Sequence, residues 1–274
     1  MNYRHAFHAG NHTEVFKHAA LMFVLEHLLQ KPQPFAVLDT HAGLGTYDLT
    51  SIEAQKTGEF EQGAARVFGA ALPSAQAYVD LLAAMNPDGL RAYPGSPEIV
   101  RRMLREDDRL IACELHPADA ETLKRRYRDD RRVAVHHRDG YEAIGSFTPF
   151  AERRGLVFID PPYEEKDEGR QLAAALTAGL KKWPTGVFLA WYPIKDRQIA
   201  DTLAQAAVEA GFPKALRAEF LIRPMDGMSL AGGGVLVCNA PWRLDERLRA
   251  LTEDLAPRLG DGGASGSVAW LTAA

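Results

Sequence analysis

The chain has 274 residues and a net charge of −4, and it is 46% hydrophobic and 25% charged, a composition typical of a globular protein that buries its own core. Cys113 and Cys238 lie in apolar runs, so we expect buried thiols in a reducing compartment rather than a disulfide or a metal site. We find no membrane-length apolar run and no secretory-signal pattern, and we expect a cytoplasmic protein with no membrane partner.

Helical and strand patterns alternate along the chain. Apolar spacing predicts helices near residues 13–30, 61–72, 74–86, 117–127, 168–182 and 196–211, and one that starts at Ser96 as its N-cap. Short apolar runs predict strands at 35–38, 110–113, 133–136, 156–159, 187–191, 216–222 and 233–239. This order predicts an α/β fold with a mostly parallel sheet between two helical layers. We expect the last two strands to form an antiparallel edge hairpin, and residues 260–267 to form a flexible loop.

Four successive predicted strands are followed by an acidic residue: Asp39, Glu114, Asp139 and Asp160. In open parallel sheets, ligands bind at the carboxyl ends of the strands. Glu114 is suited to accept hydrogen bonds from two ribose hydroxyls, and Asp139 to accept one from an amine such as the N6 of an adenine. Each residue, taken alone, is equally well explained as a helix cap, but four together favour a ligand site.

The turn after the first strand reads DTHAGLG. Glycines such as Gly43 allow a close approach of the backbone to a ligand. The third glycine of a dinucleotide fingerprint is missing, which disfavours a nicotinamide oxidoreductase.

The run LVFIDPPY is the strongest single feature. Two prolines remove two backbone donors and stiffen the loop, so that Asp160 and the carbonyl of Pro161 are free to accept both hydrogens of a planar amine. The ring of Tyr163 offers a face on which a base can stack. The pattern therefore predicts a grip on the amine of a nucleobase.

The DPPY run resembles the catalytic motif of amino-methyltransferases. The segments YRHAFHAGNHTEVFKH, FAVLDTHAGLG, YPGSP, CELHP, RDGYE, GLVFIDPPYE and WYPI resemble, in order, the bacterial RlmJ family of 23S ribosomal RNA adenine-N6 methyltransferases. The resemblance implies a Rossmann-like S-adenosylmethionine-dependent methyltransferase domain over 1–49 and 93–274, with a helical insertion at 50–92. It also implies methylation of one adenine of 23S ribosomal RNA, at position 2030, with S-adenosylhomocysteine as product and no metal.

The resemblance also implies roles for individual residues. Asp160 would be the catalytic carboxylate, with Pro161 and Tyr163 beside it, and Tyr3 would contact the RNA. The cofactor would contact His18, His41, Gly43, Ser96, Glu114, Asp139, Gly140 and Asp160.

Four histidines fall within the first 18 residues, but no carboxylate or cysteine spacing completes a metal site. We instead expect residues 1–12 to form a mobile arm over the target base. In this arm Tyr3 would stack, while Arg4, His5 and Lys17 would meet phosphate or base edges. We expect a monomer that acts on naked or early-assembly 23S ribosomal RNA.

Three further alternatives stay open. A DNA adenine methyltransferase shares DPPY, although the insertion is small for a target-recognition domain. A protein-glutamine methyltransferase usually has Asn where this chain has Asp160. A non-catalytic RNA-binding module on the same fold is disfavoured by the intact motif.

Overall fold

The computed structural model describes residues 5–165 and 167–273. The helices are α1 His12–Leu29, α2 Ile52–Thr57, α3 Ala64–Val67, α4 Gln76–Met85, α5 Ser96–Met103, α6 Pro117–Tyr127, α7 Gly140–Phe147, α8 Glu168–Lys182, α9 Gln198–Glu209 and α10 Leu244–Leu259. The strands are β1 Ala36–Asp39, β2 Thr46–Asp48, β3 Ala92–Pro94, β4 Arg109–Glu114, β5 Val133–His137, β6 Gly155–Ile159, β7 Val187–Ile194, β8 Leu216–Leu221, β9 Gly232–Cys238 and β10 Ser265–Trp270.

Eight strands form one sheet in the order β10-β8-β9-β7-β6-β1-β4-β5. The five strands from β7 to β5 are parallel, and β9, β8 and β10 continue the sheet with antiparallel pairing. Alternate residues of β1 face two separate cores: Val37 packs with α1, α5 and α10, and Leu38 packs with α7, α8 and α9. This arrangement confirms the predicted α/β fold, with a mostly parallel sheet between two helical layers.

The antiparallel end of the sheet differs from the prediction in one respect. β8 and β9 do pair with each other, but β9 lies between β7 and β8, and the edge strand is β10. The flexible loop predicted at 260–267 is therefore wrong from Ser265 onward. Small residues suit this edge because β10 lies against α10: a Cβ added to Gly266 would be 2.3 Å from the Cβ of Thr252.

Helix α1 is buried from His12 to Leu25, because the sheet, α5, α10 and the segment between β2 and β3 surround it. Asn11 caps this helix: its side-chain oxygen accepts hydrogen bonds from the backbone N–H groups of Thr13 and Glu14. α1 therefore has no solvent-facing stripe, and its first turn is held in place at the edge of the sheet where the parallel strands end.

The segment between β2 and β3 carries α2, α3 and α4, where the sequence predicted a helical insertion. The continuous helix expected at 61–72 is wrong: the chain turns at Gly63, where an added Cβ would be 2.1 Å from the carbonyl oxygen of Gly10. His5–Phe7 forms a 3₁₀ turn beside this insertion. Tyr3 and Arg4, predicted to bind RNA, lie outside the described residues.

No helix in the two described ranges is both long and apolar enough to pass through a membrane.

Candidate active site

The four predicted carboxylates meet at one edge of the sheet. Asp39 ends β1, Glu114 ends β4, and Asp160 directly follows β6. Asp139 lies between β5 and α7, and these four strands are neighbours in the order β6-β1-β4-β5. The parallel direction of the strands thus brings together residues that are far apart in sequence.

Glu114 is held by the turn that follows β1. Its Oε2 accepts a hydrogen bond from the backbone N–H of Gly43 at 2.8 Å, and its Oε1 accepts one from His116 at 2.7 Å. Burial raises the pKa of Glu114, although these two N–H groups oppose the rise. Gly43 has φ +58°, and a Cβ there would be 2.2 Å from the hydroxyl of Tyr47. Glycine is therefore required at this position for the backbone to reach Glu114.

Asp39 lies at the centre of this edge and is fully buried. Burial raises its pKa to about 7, against the opposing effect of the Ser96 hydroxyl, and the charge of Asp160 adds to the rise. Its Oδ2 has no hydrogen-bond partner within residues 5–165 and 167–273. A buried carboxylate oxygen without a partner suits a ligand that brings a cation or a donor. Ser96 is the first residue of α5 and Gly95 is its N-cap, so the predicted N-cap is wrong by one position.

His41 and Gly140 face each other across the turn after β1. Burial lowers the pKa of His41 to about 4, so its ring is neutral at pH 7, and Nδ1 lies 2.8 Å from the hydroxyl of Thr40. A Cβ added to Gly140 would be 2.2 Å from the carbonyl oxygen of Thr40. Asp139 accepts a hydrogen bond from the N–H of Glu142 and caps α7. The helix-cap alternative therefore applies to Asp139, whose other oxygen is still available to a ligand.

The D-P-P-Y segment forms a sharp corner beyond β6. Tyr163 has φ +53°, and its hydroxyl donates a hydrogen bond of 2.6 Å to the carbonyl of Trp191. The two rings meet edge to face, with centroids 5.6 Å apart. Trp191 on β7 thus fixes the aromatic side of the corner, and Asp160 forms its acidic side.

The position of Lys17 differs most from the sequence-based prediction. We expected it at RNA phosphates, but its side chain is only 2% exposed and forms ion pairs with Asp160 and Glu14. The ammonium also lies 5.0 Å from the centroid of the Trp191 ring. Burial would lower the pKa of Lys17, but the two carboxylates outweigh it and raise the pKa above its usual range. The positive charge of Lys17 therefore lies inside the protein, at the D-P-P-Y corner, and not on its outer surface.

Glu14 and His5 extend this network. His5 Nε2 lies 2.8 Å from Glu14 Oε2. Burial opposes ionisation of Glu14, yet Lys17 and His5 hold its pKa well below the usual range. For Asp160 burial has the larger effect and raises the pKa, although Lys17 opposes this. Glu14 is a residue of this site that was not predicted from the sequence. Its spacing of three residues from Lys17 on a helix is nevertheless a sequence signal for an ion pair.

His18 is buried within the protein rather than at the strand ends. Its Nδ1 lies 2.9 Å from the hydroxyl of Tyr93, which is 3.0 Å from the hydroxyl of Tyr78. Burial lowers the pKa of His18 to about 3, so it is neutral at pH 7. These contacts connect α1 with β3 and α4, and the contact of His18 with the cofactor stays a prediction.

Comparison with known proteins fits this site. Residues 32–272 match the family model described as ribosomal RNA large subunit methyltransferase D, RlmJ. The chain belongs to the RlmJ family. It is 39% identical to ribosomal RNA large subunit methyltransferase J of Haemophilus influenzae and 37% identical to that of Escherichia coli, over 99% of each chain. A crystal structure of a Legionella pneumophila protein superposes with a TM-score of 0.89 at 31% identity, covering 96% of this chain and 98% of that one.

Membership of the RlmJ family makes the strand-end pocket a candidate site for S-adenosylmethionine. The residues present fit such a group: Glu114 and Asp39 offer buried carboxylate oxygens beside the Gly43 turn, and Oδ2 of Asp39 has no partner within the described ranges. No cluster of three or more histidine, cysteine, aspartate or glutamate side chains within the described ranges has the arrangement of a metal site.

Proposed function

We propose that this RlmJ family member transfers a methyl group from S-adenosylmethionine to the exocyclic N6 of one adenine in 23S ribosomal RNA. The observation that carries the proposal is the corner at residues 160–163, where Asp160 is paired with Lys17, two prolines lack N–H donors, and the Tyr163 hydroxyl is bonded to the carbonyl of Trp191. The position of the adenine in the RNA follows from the family resemblance.

The cofactor half of the site comprises β1, β4 and β5. Glu114 would accept hydrogen bonds from the ribose hydroxyls, and Asp39 would face the ammonium group of the methionine moiety. When bound, S-adenosylmethionine supplies an electrophilic sulfonium methyl group. His41, Gly43, Ser96, Asp139 and Gly140 complete this half of the site in the proposal.

The substrate half would grip the adenine by its amine and its face. Because Lys17 engages Oδ2 of Asp160, Oδ1 remains for one N–H of the amine, and the carbonyl of Pro161 would accept the other. Tyr163 would stack on the ring of an adenine that has left its helix. The two acceptors favour a pyramidal nitrogen, whose lone pair is then available to attack the methyl group in line.

Charge at the corner sets the protonation state of Asp160. The amine would have to lose one proton when S-adenosylmethionine supplies the methyl group, and Asp160 would accept that proton directly or through water. Lys17 favours the ionised form of Asp160 and so opposes burial, which raises the pKa of this carboxyl. The predicted mobile arm of 1–12 is too long, because Ala9, Asn11 and His12 are buried and Asn11 caps α1. A shorter arm that ends before Ala9 would open to admit the base and close over it, with Tyr3, Arg4 and His5 at the RNA.

The test uses deproteinised 23S ribosomal RNA, isotopically labelled S-adenosylmethionine and mass spectrometry of the digested nucleosides. We expect label in N6-methyladenosine and none in DNA of the same sequence. The variant Asp160→Asn should lose about 100-fold or more in turnover and keep its affinity for the cofactor, measured by titration calorimetry. Label on another atom, preferential labelling of DNA, or near-normal turnover by Asp160→Asn would contradict the proposal.

A further inference from the structure

Three side-chain nitrogens on the Trp191 side of the D-P-P-Y segment are buried and have no hydrogen-bond partner in the part of the chain that the structure describes: His12 Nε2, Trp191 Nε1 and Arg223 Nε. Buried polar atoms in folded proteins nearly always have a partner, so each exception needs an explanation. We call these three residues the donor corner.

The three residues converge from different elements. His12 begins α1, and its neighbour Thr13 lies against Gly233 of β9. A Cβ added to Gly233 would be 2.8 Å from Trp191 Nε1 and 3.3 Å from the Cβ of Thr13. Arg223 follows β8 and is close enough to His12 to contribute to the lowering of its pKa. The start of α1, the end of β7 and the β8–β9 connection therefore share one corner.

The charges of the donor corner suit a monoanion. Burial lowers the pKa of His12 to about 4, against the opposing charge of Glu59, so its ring is neutral at pH 7 and Nε2 is a donor in the tautomer that carries its proton there. Arg223 is the cation. Its Nη2 donates to the carbonyl of Leu230 at 3.1 Å, and its Nη1 lies 3.7 Å from Asp261. One positive charge and two neutral donors match the two free oxygens of a phosphodiester better than a dianion or a base edge.

The donor corner also lies on the appropriate side of Asp160. The proposed cofactor residues are on β1, β4 and β5, whereas Trp191 is on β7, on the opposite side of β6. The Trp191 ring contacts both Lys17 and Tyr163, so the donor corner is adjacent to the substrate half of the site. An RNA strand that places an adenine on Tyr163 has its adjacent backbone on this side.

We propose that the donor corner binds the phosphodiester next to the target adenine. The inference rests on the proposed function and identifies the part of the RNA backbone that the site holds. The three nitrogens are closed to solvent, so binding requires the side chains that cover them to move when the RNA arrives.

The experiment pairs a protein change with a single change in the RNA. The protein variants are Arg223→Gln and, as matched control, Arg243→Gln, which follows the antiparallel neighbour β9 and therefore lies at the opposite end of the strands. The RNAs are an oligonucleotide containing the target adenine and two copies in which the 5′ or the 3′ linkage of that adenine is an uncharged methylphosphonate. Affinity for each RNA is measured by fluorescence anisotropy, and methylation of the unmodified RNA is measured alongside.

We expect Arg223→Gln to weaken binding of the unmodified RNA about 10-fold and to reduce the salt slope by about 0.7. One methylphosphonate should weaken wild-type binding similarly but leave Arg223→Gln almost unaffected, because the contact is already lost. Arg223→Lys, which keeps the charge, should recover part of the affinity, and Trp191→Phe should show the same insensitivity to that linkage.

Additive losses at both linkages would overturn the inference, as would equal effects of Arg223→Gln and Arg243→Gln. Titration with S-adenosylhomocysteine and a thermal melt identify any variant that has not folded, in which case Arg223→Lys decides the question. If wild-type protein methylates the adenine at N6 while the linkages act additively, the proposed function stands and only the donor corner fails.

Discussion

Replacing Lys17 with methionine tests the charge arrangement of the corner. The substitution keeps most of the side-chain volume but leaves Glu14 and Asp160 as buried carboxylates without their shared cation. Removing one partner of a buried ion pair costs about 3–5 kcal/mol of folding free energy. We therefore expect Lys17→Met to lose stability of that order at pH 8 and to lose methylation almost completely, because a protonated Asp160 cannot take up the proton that the amine loses.

The pH dependence gives the prediction its sign. Without Lys17, burial raises the pKa of both carboxyls above their unfolded values, so the folded variant holds protons that the unfolded chain releases. Its stability is then highest at acid pH and falls as pH rises through the folded pKa values. The gap between wild type and variant should be largest at pH 8 and shrink towards pH 4.

Urea denaturation at pH 4, 6 and 8, with the exposed Lys181→Met as control, measures that gap, and methylation of 23S ribosomal RNA measures the activity. A loss below about 1 kcal/mol at pH 8, with normal methylation, would refute the reasoning that the corner depends on this cation.

Two further changes probe the cofactor half of the site. Gly140→Ala should destabilise the protein by about 1–3 kcal/mol and weaken S-adenosylmethionine binding, because the new methyl group would be 2.2 Å from the Thr40 carbonyl oxygen. Thermal melts measure the stability, and calorimetry measures the binding. Gly145→Ala is the control, because no atom lies within 4 Å of the Cβ added there. Asp39, whose pKa is about 7 in the folded chain, lowers stability as pH rises from 4 to 7, because the unfolded state releases its proton first. Asp39→Asn should remove that slope, stabilise the free protein at pH 8 and weaken cofactor binding; an unchanged slope in urea melts would contradict the assignment.

Much of the parallel half of the molecule could be predicted from the sequence. Its strands are short apolar runs that end at Asp39, Glu114 and Asp160, and both the runs and the acidic ends are local signals. The predicted helix at 168–182 agrees with α8 to the residue because its apolar spacing and lysine-rich end are also local.

The remaining features depend on contacts between distant residues. The glycine and serines of Ser265–Trp270 are typical of a loop. The segment is a strand because it pairs with the edge of β8 and α10 covers one of its faces. Lysine is usually a surface residue. Lys17 is an internal cation only because Asp160, 143 positions later in the chain, lies next to it. Trp191 belongs to the WYPI segment, which by itself predicts no contact. Its contacts with Lys17 and Tyr163 arise from the order of the strands in the sheet.

The central place of α1 has a consequence for synthesis. The first helix of the chain packs against β9 and α10, and the guanidinium of Arg247 lies 3.8 Å from the centroid of the Phe23 ring. α1 can complete these contacts only after residues 232–259 have left the ribosome. Lys17 lies on that helix, so we expect the corner at Asp160 to be completed only after this C-terminal part of the chain has been synthesised.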